Sequence, residues 1–538
     1  MEIKKVKLGE KEIMPFTIPS GIVMTEVSTA ARLLDMIPEL GIWTTKSIGP
    51  EPRVGNKEPI LAQYYPGCFV NVVGLTNPGA EEFARKLYLA RIPSDKFVLA
   101  SIFGKNTEEF VYVAETLEEL VDGFELNLSC PHCSQVGTAL GQDPEIVKEI
   151  TKAIVKRTRK PAFAKLTPNV SNIGEIAKAA MEGGAYGISA INAVGPGYYS
   201  VDGFPVLTNK VGGLSGRGIL PLGLKCVRDI RQAVGNGVPI IGIGGIAAAR
   251  DVRAYYNVGA NIIGVGSGAL AGMTNNEMIR YFSVLATDLR KGGNVAATLL
   301  KEVDMSYRKV RLEKKENTNC DLQVLVTNRS VQASPGQFVF AWIPNVGEKP
   351  FSVMDDEPLT LGILEKGEFT RAINSLQVGD SFYVRGPYGQ GVDVPAESDV
   401  VLVGGGCGLA GLHLLAKRFS KKARVLTLLG AKDLQHLPYL KEFEKYGPVF
   451  VATEDGSLGV RGLVTDLFYD GIEKGSYFFN CGPRAMIEAV LPLELSLSSP
   501  ERVHSSVDYM TRCGIGLCGS CADDRGRRSC VEGPFLNL

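Results

Sequence analysis

Net charge is missing from this chain: 58 Lys plus Arg meet 58 Asp plus Glu, so no global basic field draws in nucleic acid or anionic lipid. Disorder-prone composition is missing too, since 45% of the 538 residues are apolar and 22% charged, near the averages of folded proteins. No apolar run reads as a membrane span. The longest, Val400 to Ala416, is broken by five glycines and a His and reads as a strand, a glycine turn and a helix. The opening MEIKKVKLGEKEIM has no apolar segment of the secretory type, so a cytoplasmic protein without a membrane partner is expected. A disulfide framework is equally unsupported: there are 11 Cys, an odd number, and four of them crowd into the last 26 residues, which points to metal or redox chemistry. What the chain has in excess is glycine, 62 residues against a usual ~7%, a sign of many tight turns or close ligand approaches.

From residue 17 to 268, eight short apolar runs alternate with helix-like stretches: TIPSGIV (17–23), GIWTTK (41–46), FVLASI (97–102), GFELNLS (123–129), PAFAKL (161–166), YGISAIN (186–192), VPIIGIG (238–244) and ANIIGVG (260–266). Eight β runs with intervening helices over this length predict a (β/α)8 barrel, with an open doubly wound sheet as the alternative. Past NNEMIRYFSVLATDLRKGG the texture changes. RKVRLEKK, DLQVLVTN, GQFVFAWIP and SFYVRGPYG predict a small antiparallel β-barrel, and DVVLVGGGCGLAGLHLLAKRF, ARVLTLLGAKD, PVFVATEDG and SYFFNCGPRAMIEAV predict a nucleotide-binding α/β domain. The expected division is therefore α/β overall: a barrel domain over 1–300, an antiparallel barrel over 301–397, an α/β domain over 398–500 and a Cys-rich segment over 501–538.

Active sites of such barrels lie where the strands end. Here the ends carry Ser20 and Gly21, Lys46, Asn127 through Cys130, Lys165 and Asn192. The seventh and eighth runs end in the glycine turns Gly242 to Ile246 and Gly264 to Gly268, where backbone N–H groups can meet a phosphate. Two lysines, two amides and a phosphate cradle suit a phosphorylated electron acceptor, for which FMN is the natural candidate. Cys130, a thiol near cations, is then the acid/base, whereas Cys68, Cys226, Cys320 and Cys407 read as inert buried thiols.

TTKSIGPEPRVGN, NVVGLTNPG, ELNLSCP, AKLTPN, GGLSG, IGIGGI and IIGVGSG follow one another as in dihydroorotate dehydrogenases of the soluble class 1 type, a resemblance spanning nearly all of the first 270 residues. It implies FMN contacts at Ser20, Gly21, Lys46, Asn127, Lys165, Gly216, Gly244, Gly245, Gly266 and Ser267. It implies a small-molecule pyrimidine substrate at Lys46, Asn71, Gly74, Leu75, Asn127 and Asn192, Cys130 as the base that removes the C5 proton, and a homodimer through the barrel. Two positions depart from the pattern: His132 follows Ser129-Cys130-Pro131 where an Asn is usual, and Ala193 replaces a hydroxyl residue after Asn192. SCPH with GQDPE and FAKLTPNV resembles instead the barrel of dihydropyrimidine dehydrogenases, which act on uracil and thymine; in that alternative His132 holds a substrate oxygen. Cys133 adds a nearby thiol that is not expected to be the base.

Cys513, Cys518, Cys521 and Cys530 are spaced C-x4-C-x2-C-x8-C, with Gly514, Gly516 and Gly519 between them. The C-x4-C-x2-C core fits a plant-type [2Fe-2S] loop, with a four-cysteine zinc site as the alternative. PGQFVFAWIP, EKPFSV and GEFT resemble the flavin barrel of the ferredoxin reductase family, and GGGCGLAGL with NCGP resembles its nicotinamide half. The resemblance implies FAD at Lys349, Pro350, Phe351, Ser352 and Thr370, with Lys349 where many relatives have Arg. It places the dinucleotide at Gly404, Gly405, Gly406 and Gly408 and the nicotinamide beside Cys481, Gly482 and Pro483. Glu454 and Asp455 would disfavour a 2′-phosphate and so favour NAD over NADP. Residues 305–538 as a whole resemble the electron-transfer subunit of class 1B dihydroorotate dehydrogenases, here fused behind the catalytic barrel. A non-catalytic redox scaffold is the contrasting reading, which the set Lys46, Asn127, Cys130 and Lys165 disfavours.

Overall fold

The computed structural model describes residues 2–128, 140–317, 322–437 and 439–537 and divides the chain into two compact units. The first comprises Met1–Asp304 with Ile515–Arg528; the second comprises Met305–Gly514 with Ser529–Leu538.

The first unit is built on a closed barrel of eight parallel strands, numbered here β1 Phe16–Ile18, β2 Leu40–Thr44, β3 Phe97–Ile102, β4 Gly123–Asn127, β5 Ala162–Leu166, β6 Gly187–Ala190, β7 Ile240–Ile243 and β8 Ile262–Gly264. Every residue of β2 through β7 is buried, as strands covered on both faces require. Strand and space order coincide around the ring, β8 pairing with β1 through Ile263 and Phe16. A hairpin of Val6–Leu8 and Lys11–Ile13 sends Leu8 and Ile13 into one cluster with Ile42, Phe97, Phe163, Ile241 and Ile262. The helices between strands carry their own signals: Thr274 and Glu277 form a capping box at the start of Asn275–Lys291, which stops at Gly292 with φ 82°. A separate four-stranded antiparallel sheet, in the order Val194–Tyr198, Val211–Gly216, Cys68–Asn71, Leu61–Tyr65, is built from chain between barrel strands.

The second unit opens with a seven-stranded antiparallel sheet in the order Gly347–Ser352, Phe338–Ile343, Ser381–Tyr388, Arg308–Asn317, Leu322–Thr327, Leu359–Leu364, Asp355–Asp356. A second seven-stranded sheet follows, parallel except at its last pair, in the order Val460–Arg461, Val449–Thr453, Arg424–Ala431, Asp399–Gly405, Tyr477–Cys481, Val503–Ser506, Phe535–Leu536. Along Asp399–Gly405 the side chains alternate: Val400 and Leu402 pack with Leu409, Leu412 and Leu415, while Val401 and Val403 pack with Val464 and Val490. Helices thus cover both faces. Strand order reverses beside Asp399–Gly405, whose Gly404 pairs with Cys481, so the switch point of the sheet lies at the glycine turn. Among the described residues no helix is long and apolar enough to cross a membrane.

One buried acid sits beneath this sheet. Glu494 accepts from Asn480 Nδ2 at 2.7 Å, while Glu494 Oε1, Asn480 Oδ1 and Ser505 Oγ are buried without hydrogen-bond partners. Burial pushes the Glu494 carboxyl up to about 8. A raised carboxyl stabilises the fold in its neutral form, so this contribution is full below the ordinary carboxylate range and is lost as pH rises toward about 8. Glu494→Gln is therefore expected to flatten the fall in melting temperature between pH 5 and 8 and to melt higher than the native chain at pH 8, as calorimetry would read.

Candidate active site

At the carboxyl ends of the barrel strands the first unit assembles a connected set of polar side chains. Asn127, the last residue of β4, donates through Nδ2 to Ser47 Oγ at 2.9 Å and accepts at Oδ1 from Asn192 Nδ2 at 3.2 Å. Ser47 also lies 2.9 Å from Ser101 Oγ and 3.2 Å from Ser20 Oγ, so the ends of β1, β3 and β4 and the second residue after β6 are tied together. Asn192 Oδ1 accepts from the Ala193 N–H at 2.8 Å, which fixes which face of the amide points to Asn127. Beneath this set, Lys165 of β5 donates from Nζ to Glu125 Oε1 of β4 at 3.2 Å, with side chains 6% and 1% exposed. A lysine this buried needs its partner acid, and the pair holds an ammonium at the barrel mouth.

The remaining expected contacts surround the same strand ends. Gly244 and Gly245 follow β7 with φ of 128° and 76°. Ser267 Oγ donates to Ser215 Oγ at 3.1 Å, and Gly216 follows it with φ 90°. Asn71 belongs to the four-stranded sheet, where its Nδ2 donates to the Gly213 carbonyl at 3.1 Å. A Cβ on Gly213 would come 2.6 Å from Ala193 Cβ, so the departing residue Ala193 faces the backbone beside Asn71. Gly74 and Leu75 both take positive φ, 82° and 55°. Lys46 directly precedes Ser47 and is half-buried. Cys130 and His132, with Cys133 and Cys320, lie outside the described residues. Cys226 is buried, its thiol pushed up by burial, and the Gly218 N–H donates to buried Cys68 Sγ at 3.2 Å. Ser47, Ser101, Ser215 and Glu125 join the expected residues at this mouth, Ser47 standing one residue past Lys46.

In the second unit, Lys349 through Ser352 lie on the edge strand Gly347–Ser352, paired with Phe338–Ala341. Phe351 stacks at 6.1 Å on Phe369, whose helix Glu368–Ser375 holds Thr370. The Thr370 hydroxyl is engaged in the cap of that helix, accepting from the Lys366 and Gly367 N–H groups at 2.8 and 2.9 Å. Ser352 and Cys481 meet around Gly411: a Cβ there would lie 3.4 Å from Ser352 Oγ and 3.2 Å from Cys481 Sγ. Gly408 approaches the Cys481 carbonyl so closely that a Cβ would stand 2.1 Å from the oxygen, which explains the glycine in this turn. Asp455, past the strand Val449–Thr453, accepts from Ser457 N and Oγ, bonds that hold its carboxyl below the usual range.

Cys513, Cys518, Cys521 and Cys530 are all buried and free of disulfides. Cys518 and Cys521 belong to the first unit, Cys513 and Cys530 to the second. Among the described residues no three His, Cys, Asp or Glu side chains are gathered as a metal-holding group. Cysteine thiols suit an iron-sulfur cluster in donor chemistry, and Gly514, Gly516 and Gly519 take φ of 82°, 72° and 71°, the left-handed region that glycine reaches without strain. Within the first unit this loop lies on the segment just after Ser20 and Gly21: the Val23 N–H donates to the Leu517 carbonyl at 2.7 Å, Thr25 Oγ1 to the Cys518 carbonyl at 3.0 Å, and Ser28 Oγ to the Asp523 carbonyl at 2.9 Å.

A model of the dihydroorotate dehydrogenase family matches residues 4–280, half of the chain. The chain belongs to the dihydroorotate dehydrogenase family. It is an oxidoreductase of that family, and the (β/α)8 barrel with its polar mouth is the family's share of the molecule. The chain is similar to the catalytic subunit of dihydroorotate dehydrogenase B (NAD+) from Pyrococcus horikoshii, 45% identical over 231 residues that cover 41% of this chain and 74% of the relative. The corresponding subunit of Methanocaldococcus jannaschii is 41% identical over 236 residues, covering 43% and 76%. That of Thermoplasma volcanium is 40% identical over 248 residues, covering 46% and 80%. Among solved structures, that of an NADH-dependent reduced ferredoxin-NADP oxidoreductase, studied for flavin-based electron bifurcation, aligns with a TM-score of 0.38 and 27% identity, covering 42% of this chain and 87% of that one.

Proposed function

We propose that this chain oxidises dihydroorotate to orotate at the barrel mouth and passes the electrons from FMN to a [2Fe-2S] cluster, then to FAD and NAD, as a step of pyrimidine biosynthesis. The observation that carries the reading is the bonded set Asn192, Asn127 and Ser47 above the buried Lys165–Glu125 pair, in a chain of the dihydroorotate dehydrogenase family. FMN would be held by Ser20, Gly21, Lys46, Asn127, Lys165, Gly216, Gly244, Gly245, Gly266 and Ser267, and when bound it supplies the acceptor for the C6 hydride.

The protein's own residues do the rest. Asn127 and Asn192 present amides already oriented by Ser47 and by the Ala193 N–H, so substrate carbonyl and N–H groups meet fixed partners without reorganisation. Lys165 carries a positive charge shielded from water, where it stabilises negative charge far more than it would in solvent. Cys130 takes the C5 proton. Lys349, Pro350, Phe351, Ser352 and Thr370 would hold FAD, and Gly404, Gly405, Gly406, Gly408, Cys481, Gly482 and Pro483 the nicotinamide nucleotide; the meeting of Ser352 with Cys481 around Gly411 supports this pairing. Cys513, Cys518, Cys521 and Cys530 would ligate the cluster. The docking of the 517–523 loop on residues 23–28 supports an exit for electrons beside the turn expected to contact FMN. The same resemblance implies a homodimer through the barrel.

Anaerobic addition of dihydroorotate to the purified, iron-containing protein is expected to bleach the flavin and cluster absorbance, while dihydrouracil leaves it unchanged. Bleaching by dihydrouracil alone would assign the site to uracil or thymine and make His132 and Ala193 the residues that set the substrate.

A further inference from the structure

We infer that Arg385 is a positioning residue for the first cysteine of the cluster: it anchors the backbone of Cys513 and sets a buried positive charge against it. The inference rests on the [2Fe-2S] reading above. Arg385 lies on the strand Ser381–Tyr388 and its side chain is fully buried, as is that of Glu348. Glu348 grips two of its nitrogens, Nε to Oε1 and Nη2 to Oε2, both at 2.7 Å. The remaining Nη1 donates to the Cys513 carbonyl at 3.0 Å. The guanidinium lies 3.9 Å from the centre of the Phe340 ring, with Tyr388 at 5.2 Å and Tyr307 at 5.9 Å, and the Tyr307 hydroxyl donates to Glu348 Oε1 at 2.7 Å.

Gly514 rests against this aromatic cage. Its φ is 82°, and a Cβ would stand 2.8 Å from the Phe340 ring and 3.4 Å from Arg385 Nη1, so the chain can leave Cys513 in this direction only through a glycine. A buried ion pair is a weak source of stability, because well-packed apolar residues of like volume serve as well or better. Its distinctive contribution here is direction: the fork fixes the guanidinium so that one donor faces the ligand's carbonyl. Cluster potentials follow local charge and hydrogen bonding, and groups outside the ligand set orient the ligands themselves. Glu348 is followed at once by Lys349, the first residue expected to hold FAD, so one ion pair ties the flavin strand to the cysteine.

The test is an anaerobic redox titration of the full-length holoprotein, following the electron paramagnetic resonance of the reduced cluster beside the flavin absorbance. Two variants are used, the paired Glu348→Gln with Arg385→Met, which removes both charges together, and Arg385→Lys, which keeps the charge but loses the fork. The paired variant is expected to keep FAD and to titrate lower than the native protein by at least tenfold in the oxidised-to-reduced ratio, about 59 mV for one electron, or to lose iron while retaining FAD. Arg385→Lys is expected to shift the same way by less and to alter the resonance line shape. Full iron with an unchanged potential and line shape in both variants overturns the inference; if the paired variant does not fold, Arg385→Lys decides alone. Native protein that shows no [2Fe-2S] resonance on reduction overturns the cluster reading itself, a result separable from failure of the arginine's role.

Discussion

Lys165→Ala is expected to abolish FMN retention and to destabilise the barrel unit by roughly 3–5 kcal/mol, the usual cost of stranding one member of a buried ion pair. The side chains of Glu125 and Lys165 are 1% and 6% exposed, so neither charge can turn to water when the other is removed. Stability and flavin binding can be separated by a double replacement. Lys165→Met with Glu125→Leu removes both charges and keeps the volume, so the melting temperature is expected to recover while FMN remains lost. Thermal unfolding, paired with the flavin absorbance of the desalted protein, reads both effects. If Lys165→Ala retains stoichiometric FMN, the lysine is a structural member of the barrel and the electrostatic role assigned to it fails.

Cys130→Ala is expected to slow reduction of the bound flavin by dihydroorotate by about 10²–10⁴-fold, the span that removal of a general acid or base commonly costs. The Asn127 and Asn192 amides are held by Ser47 and by the Ala193 N–H, so orotate affinity is expected to change little. Stopped-flow reduction and an orotate titration of the same preparation separate chemistry from binding. A loss of orotate affinity matching the loss of rate would make Cys130 a binding group rather than the base.

The barrel was legible because parallel strands buried on both faces read as uninterrupted apolar runs, and each of the eight runs overlaps a strand of the closed barrel. The first run overshoots: the strand is Phe16–Ile18, and Pro19 with the turn at Ser20 and Gly21 ends it early. Lys165 and Asn127 could be found because a polar residue closing an apolar run is conspicuous. Glu125 could not, since its meaning comes only from Lys165 on the neighbouring strand. Ser47 and Ser101 hide among ordinary strand and turn residues, and their role appears only when three strand ends are brought side by side. In the second unit, GEKPFS carries charge and a proline yet forms the edge strand Gly347–Ser352, a position where proline costs no ladder bond. The partners of the Cys518 loop are likewise invisible locally, because residues 23–28 are nearly five hundred positions away.

That last separation bears on how the protein is made. Thr25 and Ser28 leave the ribosome nearly five hundred residues ahead of the carbonyls of Cys518 and Asp523 that receive their hydroxyls. Domains form as units during elongation, so the nascent barrel waits through that interval with this edge unfinished. A gene cut after residue 304 would yield a catalytic fragment that never acquires residues 515–528. Supplying the second half as a separate polypeptide would have to restore them in trans, and completion of the barrel unit would then depend on the concentrations of two chains.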